Sequence, residues 1–272
     1  MRSIKDKVIL ITGSSQGIGK ALALKCLRQG ANVCINGRSE KKLLKTQQQL
    51  KRWHAHLFAV AADVSTDEGS LSLVEACVQH FRRLDIVVCN AGMSAYGELE
   101  KTAPTVIHEV IDTNIKAAAL VTHFALPHLT RCGGSIVLVS SLAGIHGLGG
   151  YSLYSASKMA YTALGQSLQK ELKHQSVHVG IVYLGFVANE NSKRTLNAAG
   201  KLEPIPERKQ MKVDSRENAA QLILSCILKK KPVVVHTIPG KLNHLLSRYF
   251  PGLVHWILQK VYRQNFLQKA SA

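Results

Sequence analysis

The chain has 272 residues, 46% of them apolar, which is ample for a substantial core in one large domain or two small ones. Its 35 Lys plus Arg against 17 Asp plus Glu give a formal charge of +18, pointing to an anionic partner: nucleotide phosphate, anionic membrane or nucleic acid. No apolar run approaches the length of a spanning helix, so any membrane contact is expected to be peripheral.

The amino end, MRSIKDKVILITG, puts basic residues ahead of the apolar stretch VILI. That stretch is too short for a signal-peptide core and runs directly into a glycine motif, so it reads as a first strand. Further Val-, Ile- and Leu-rich runs follow at 32–36, 56–61, 84–89, 135–140, 177–183 and 232–236. Continuous apolar strands are buried on both faces, as in a parallel sheet. Helical spacing fills 18–29, 40–53, 68–82, 105–130, 152–174 and 215–229. The alternation predicts an α/β fold with a doubly wound parallel sheet, Rossmann-like, as a single domain over residues 1–238. Residues 185–212 form the main irregular insertion, broken by Gly185, Gly200, Pro204 and Pro206.

Residues 239–272 read as a basic, amphipathic helical extension. Leu242, Leu245, Leu246 and Tyr249 share one helical face, and after Pro251 a second face runs through Leu253, Val254, Ile257, Leu258 and Val261. No acid follows Glu217, whereas Lys229, Lys230, Lys231, Lys241, Arg248, Lys260, Arg263 and Lys269 do. Aromatic residues with uncompensated cations suit an anionic membrane surface, although packing on the domain or a partner explains the same apolar faces. The cysteines, Cys26, Cys34, Cys77, Cys89, Cys132 and Cys226, show neither pairs nor metal-type spacing. They read as buried free thiols of a reducing, cytoplasmic compartment, and no metal site is expected.

Two motifs suggest chemistry. TGSSQGIG places Gly13, Ser15, Gln16, Gly17, Ile18 and Gly19 between the first strand and the first helix, where backbone N–H groups and the positive helix end can approach a pyrophosphate. The glycine spacing is G-x3-G-x-G, not the usual G-x-G-x-x-G. In YSLYSASK, Tyr154 lies four residues before Lys158 and Tyr151 seven before it. Only Tyr154 is one helical turn away on the same face, and that spacing occurs on many helices without chemistry.

Taken together, TGSSQGIG (12–19), ADV (62–64), NAG (90–92), TN (113–114), SIVLVSSLAG (135–144) and YSASK (154–158) resemble the short-chain dehydrogenase/reductase family in its single-domain form. The resemblance spans nearly the whole chain to about residue 238. It implies a catalytic set of Asn114, Ser141, Tyr154 and Lys158, with Ser140 and Ser155 as alternatives to Ser141. Reduction of a ketone leaves a developing alkoxide that needs a proton, and a free tyrosine with a pKa of about 10 serves poorly in both directions. A lysine cation one turn away stabilises the phenolate. Ser141 would hydrogen-bond the substrate oxygen, and Asn114 is expected to hold a water linking Lys158 to solvent.

The same resemblance implies a nicotinamide cofactor. Where an NAD site carries a ribose-binding carboxylate this chain has Gly37 followed by Arg38, and a guanidinium suits a 2′-phosphate, so NADP(H) is expected. Asp63 and Val64 resemble the adenine-contacting pair, and Asn90, Ala91 and Gly92 the turn beside the adenine ribose. After the sixth strand the family has a PG pair and then a threonine, whereas this chain reads YLGFVAN, with Leu184 for the proline and Asn189 in the threonine region. Val187 can still offer its backbone to the carboxamide.

The expected substrate is an apolar, lipid-like carbonyl or alcohol, walled by GIHGLGGYSL and the 185–212 insertion, with His146 and Tyr151 as candidate contacts or plain loop residues. A homo-dimer or tetramer is expected, with the tail as a candidate for peripheral membrane contact or for packing on the protein. Competing readings are a catalytically silent NADPH-binding protein, which the complete Asn, Ser, Tyr, Lys set opposes, and a nucleic-acid-binding module. The basic residues of the tail alternate with large apolar groups, so no nucleic-acid partner is expected.

Overall fold

The computed structural model describes residues 3–188, 190, 194–205 and 213–263. The chain begins with β1 (Val8–Ile11), α1 (Gly17–Arg28), β2 (Asn32–Gly37), α2 (Glu40–Gln49), β3 (Leu57–Ala61), α3 (Asp67–Phe81) and β4 (Ile86–Cys89). It continues through α4 (Pro104–Ile111), α5 (Ala117–Cys132), β5 (Ser135–Ser141), α6 (Ser152–Glu171), β6 (His178–Leu184), β7 (Arg194–Leu196) and β8 (Leu202–Pro204). It ends in α7 (Arg216–Lys229), β9 (Val233–Val235), α8 (Ile238–Tyr249) and α9 (Pro251–Tyr262).

Seven strands form one parallel sheet in the order β3-β2-β1-β4-β5-β6-β9. The order reverses between β1 and β4, the place where an open α/β sheet leaves a crevice at its carboxyl edge. Side chains alternate across the sheet. Ile9 and Ile11 of β1 pack with Leu22 of α1 and Ile223 of α7, whereas Val8 and Leu10 pack with Leu73 of α3, Val121 of α5 and Tyr161 of α6. Some helix starts have a local cause. Thr66 and Ser215 accept N-cap bonds from Gly69 and Asn218, and Asp67 and Glu68 complement the first turn of α3.

Three departures from the sequence reading have identifiable causes. The helix expected over 105–130 is interrupted by a π-helical turn, Asp112–Lys116, where the buried Asn114 side chain bonds the backbone of Met93. The 185–212 insertion contains an antiparallel hairpin, β7–β8, docked through a bridge between Leu196 and Ala95. Cys132, expected buried, is exposed at the end of α5, while the other five cysteines are buried and all six are free.

The described part of the extension, to residue 263, forms two helices joined at Phe250. Val254 is buried, and the Tyr262 ring lies so close to Gly149 that a Cβ there would come within 2.4 Å of it. The Tyr262 hydroxyl donates to Glu98 Oε1 at 2.9 Å. One side of the α8–α9 pair is therefore docked. The other leaves Ile238, Leu242, Leu245, Tyr249, Leu253 and Trp256 between 49% and 81% exposed. No helix among the described residues is long and apolar enough to cross a membrane.

At the opposite sheet edge, the buried Asp85 carboxylate accepts from the Val8 N–H (2.9 Å), Lys7 Nζ (3.1 Å) and Arg83 Nε (2.7 Å). Burial opposes its ionisation, but the bonds from Arg83, Val8 and Lys7 outweigh that and hold the carboxyl below the usual carboxylate range. A depressed folded pKa stabilises above the unfolded value and is lost as pH falls through the folded one. Asp85→Ala orphans the Val8 N–H and is expected to cost about 1–3 kcal/mol at pH 7, roughly 2–4 °C in Tm for each kcal/mol. In thermal unfolding the gap from wild type should narrow at pH below about 4; an unchanged Tm at pH 7 contradicts this.

Candidate active site

The crevice at the β1/β4 reversal is built from Thr12 outward. Its hydroxyl accepts from the N–H groups of Asn90 and Ala91, both at 3.0 Å. Asn90 Nδ2 returns bonds to the carbonyls of Thr12 and Gly13, both at 3.0 Å. The glycine turn and the strand-end turn are thereby laced together, and the close approach requires glycine. A Cβ on Gly13, where φ is +60°, would sit 2.8 Å from Ala91 Cα, and one on Gly19 would sit 2.6 Å from Asn90 Nδ2. Gln16 precedes α1 in extended conformation. The Ser15 carbonyl accepts from Thr46 at 2.7 Å, and Ile18 packs on the core. At the mouth, the Gly17 N–H donates to Glu190 Oε1 at 2.9 Å, and the same oxygen accepts from Arg216 Nη1 at 2.7 Å.

Arg38 leaves the end of β2 exposed, its guanidinium 3.9 Å from the Asp63 carboxylate. Burial works against ionisation of Asp63, yet bonds from the Ser65 side chain and backbone, with the charges of Arg38 and Lys116, keep its carboxyl low. Val64 is buried, and its carbonyl accepts from Ser70 at 2.8 Å. Arg38, Asp63 and Val64 thus share one edge of the crevice with Gly37, where a Cβ would meet Ser15 Oγ at 2.8 Å.

The second half of the site gathers on α6. Lys158 is only 6% exposed; its ammonium donates to the Val139 carbonyl at 3.1 Å and lies 4.5 Å from the Tyr161 ring centroid. Tyr154 is one turn earlier on the same helix. Asn114 Oδ1 accepts from the Met93 N–H at 2.8 Å, while Nδ2 donates to the Met93 carbonyl (3.0 Å) and to Ser157 Oγ (2.8 Å). Ser157 in turn donates to the Tyr154 carbonyl at 2.8 Å. Asn114 Oδ1 and Lys158 Nζ border the same small space: a Cβ on Gly92 would meet them at 3.2 and 3.3 Å.

The structure separates the three serines. Ser140 is buried and donates to the Lys158 carbonyl at 2.9 Å, and buried Ser155 accepts from the Leu148 N–H at 3.2 Å. Both are structural ties. Ser141, at the carboxyl end of β5, is half-buried and accepts only weakly from the Ala143 N–H at 3.2 Å. Tyr151 caps the start of α6, with its ring centroid 6.5 Å from that of Tyr96, and His146 Nε2 is hydrogen-bonded to Ser247 of α8.

After β6 the turn is held by partners no motif announces. The Gly185 N–H donates to His236 Nδ1 at 3.2 Å, so that ring carries its proton on Nε2, which donates to Asp214 Oδ2 at 2.7 Å. The Asp214 backbone pairs beside Val187, accepting from Ala188 N–H (2.8 Å) and donating to the Phe186 carbonyl (2.9 Å). Bonds from the Asn218 side chain, from His236 and from the Ser215 N–H lower the Asp214 pKa. Leu184, in the proline position, is buried; Asn189 lies outside the described residues. Glu190, Arg216, Asp214 and His236 escaped the sequence reading, since none stands in a spaced motif and each pairs with a residue far away in sequence; Ser157 lies inside YSASK, but its tie to Asn114, 43 residues away, is written in no spacing.

A close-approach glycine turn, a helix start already holding a carboxylate, and a strand-end turn laced to both fit a dinucleotide pyrophosphate. Among the described residues no group of His, Cys, Asp and Glu could hold a metal. Comparison with known proteins agrees with the fold and shows the family. Residues 7–199 match the family model described as short chain dehydrogenase. An uncharacterized oxidoreductase of Thermotoga maritima is 34% identical over 79% of this chain and 83% of that protein. An 11-beta-hydroxysteroid dehydrogenase-like 4A protein of Arabidopsis thaliana is 31% identical over 92% of this chain and 83% of its own length. A short chain dehydrogenase/reductase of Burkholderia phymatum, solved in complex with NAD, superposes with a TM-score of 0.81 at 22% identity, covering 93% of this chain and 96% of that one. At that identity the likeness speaks to the fold.

Proposed function

The chain belongs to the short-chain dehydrogenase family of oxidoreductases, and from that premise we propose that it interconverts a ketone and a secondary alcohol with NADP(H), on an apolar, lipid-like substrate. The observation that carries the reading is the placing of Tyr154 and Lys158 on one face of α6, with the Lys158 ammonium buried beside Asn114 and with Ser141 at the end of the neighbouring strand. We assign residues 1–238 to cofactor binding and catalysis, and 239–272 to the basic tail.

Bound in the crevice, the reduced nicotinamide supplies a hydride equivalent to the carbonyl carbon. Tyr154 gives its hydroxyl proton to the carbonyl oxygen as charge develops there, and Ser141 Oγ donates a second hydrogen bond to that oxygen. Lys158 stabilises the phenolate left behind. Asn114 Oδ1 keeps one lone pair after bonding Met93 and holds the water through which Lys158 passes a proton back. Gly13, Ser15, Gln16, Gly17, Ile18 and Gly19 cradle the pyrophosphate, and Asn90, Ala91 and Gly92 flank the ribose. Val187 offers its backbone to the carboxamide from a turn that His236 and Asp214 keep fixed without the family's proline.

Arg38 reads the 2′-phosphate. Its pairing with Asp63 is long and solvent-exposed, hence weak, and leaves the guanidinium free to serve a stronger anion. Support for an apolar ketone comes from the name of the Arabidopsis relative and from the tail. His146 on Ser247 and Gly149 under Tyr262 place α8 and α9 against the substrate loop, and the outward apolar face carries Lys241, Arg248, Lys260 and Arg263 without an acid. We propose that this face rests on an anionic membrane, giving a cytoplasmic, peripherally attached protein. Exposed Ile111 and Met159 support assembly as a homo-dimer or tetramer.

Tyr154→Phe is expected to abolish turnover of ketone panels while leaving NADPH binding intact, and Tyr151→Phe to be mild; the reverse pattern would move the acid to Tyr151. For Arg38→Asp, the ratio of kcat/KM for NADPH over NADH should fall by well over about threefold, roughly 0.7 kcal/mol, and a smaller change removes Arg38 from the phosphate site. Leu245→Glu with Trp256→Glu, both at exposed positions, should release the folded protein from anionic vesicles in sedimentation. Binding by wild type should weaken with salt as the Debye length drops from about 10 Å at 0.1 M to about 3 Å at 1 M. Failure of wild type to sediment with anionic vesicles excludes the membrane role.

A further inference from the structure

The anion already seated at the start of α1 comes from the protein itself. Glu190 is 173 residues from Gly17 in sequence, yet one of its carboxylate oxygens accepts from the Gly17 N–H at 2.9 Å and from Arg216 Nη1 at 2.7 Å. The first turn of α1 has no acid of its own, so Glu190 supplies the negative charge that the positive helix end favours. An oxygen bracketed by a helix-terminal N–H and a guanidinium has the surroundings of a bound phosphate oxygen. Arg216 is the first residue of α7, capped by Ser215, and α7 is tied to α1 through Lys25 Nζ and Gln221 Oε1 at 3.0 Å. The guanidinium is therefore anchored to the same rigid helix pair as the glycine turn.

Resting on the reading of that turn as the pyrophosphate cradle, we propose that Glu190 is an internal competitor of the cofactor and that Arg216 is a cofactor-binding residue which the competitor masks. One N–H cannot serve two anions, and a carboxylate beside a pyrophosphate is repelled. Cofactor entry therefore displaces Glu190 from Gly17, and the released Arg216 turns its N–H donors to a phosphate oxygen. No covalent bond is made or broken in the exchange. Its effect is to weaken cofactor affinity, and so to speed release, by whatever the Glu190 contact contributes to the free protein.

The test is fluorescence titration of NADPH into the full chain at fixed ionic strength, for wild type, Glu190→Ala, Glu190→Gln, Arg216→Met and the Glu190→Ala/Arg216→Met double variant, with the Tm of each free protein alongside. Removing a charged acceptor from a helix start should tighten NADPH binding about three- to tenfold in both Glu190 variants. Glu190→Gln preserves the side chain's length, so it reports on the competitor even if Glu190→Ala unfolds. Arg216→Met should weaken binding about threefold or more, roughly 0.7 kcal/mol, also in the Glu190→Ala background, where no carboxylate remains for it to neutralise. Unchanged or weaker binding in folded Glu190→Gln overturns the competitor, and an Arg216→Met effect that vanishes in the double variant overturns the role of Arg216. Absence of NADPH and NADH binding by wild type would instead remove the cofactor reading itself, and this inference with it.

Discussion

A buried ammonium organises this molecule's chemistry. Taking the Lys158 charge out of water is costly unless it is met by well-placed dipoles, and the fold meets it with the Val139 carbonyl and the face of Tyr161. The neighbouring Cys89 thiol is pushed up to about 11 by burial, and burial also raises the Tyr161 phenol, so both stay neutral at pH 7. Holding the cation there fixes α6 against β5: Ser140 caps the Lys158 carbonyl, and a Cβ on Gly144 would come within 2.6 Å of that oxygen. The π-helical turn at Asp112–Lys116 carries Asn114 to the same place. Tyr154 inherits its position from this arrangement, being one turn from the lysine on a helix that cannot slide.

The same constraint shows why parts of the molecule were legible in the sequence and others were not. Strands buried on both faces write themselves as unbroken runs such as VILI and SIVLVS, and a glycine turn that must approach Ala91 and Asn90 writes itself as fixed glycines. The preference for Ser141 over Ser140 came from the family resemblance alone; what no sequence pattern records is that the Ser140 hydroxyl is spent on the Lys158 carbonyl. The π-helical turn was hidden because its residues keep helical periodicity; only the demand of Asn114 for the Met93 backbone interrupts the helix. The β7–β8 hairpin was hidden because its stability comes from docking on Ala95 and Ser94, which no local pattern records.

Where the chain departs from its family, compensation is long-range. Leu184 replaces a proline that would stiffen the turn after β6, and the turn is instead pinned by the imidazole of His236 and by pairing with Asp214. Glu190, which follows that turn, reaches back to α1, so the turn after β6 is connected to the glycine turn along the carboxyl edge of the sheet. The tail extends the same edge outward: its inner surface packs on the loop between β5 and α6 through Tyr262 and Ser247, and its outer surface is left apolar and cationic. A membrane-seated tail would bring that loop next to a pool of apolar carbonyl compounds.

The central claim is hydride transfer from a nicotinamide bound at the β1/β4 crevice to a carbonyl carbon held before Tyr154. Incubating the protein with ketones and NADPH carrying deuterium on either face of the nicotinamide C4, then locating the label by mass spectrometry, tests it directly. Deuterium from one face alone should appear on the carbinol carbon of the product alcohol. An alcohol formed without that label, or no oxidation of NADPH by any apolar ketone despite saturable NADPH binding, would contradict the account.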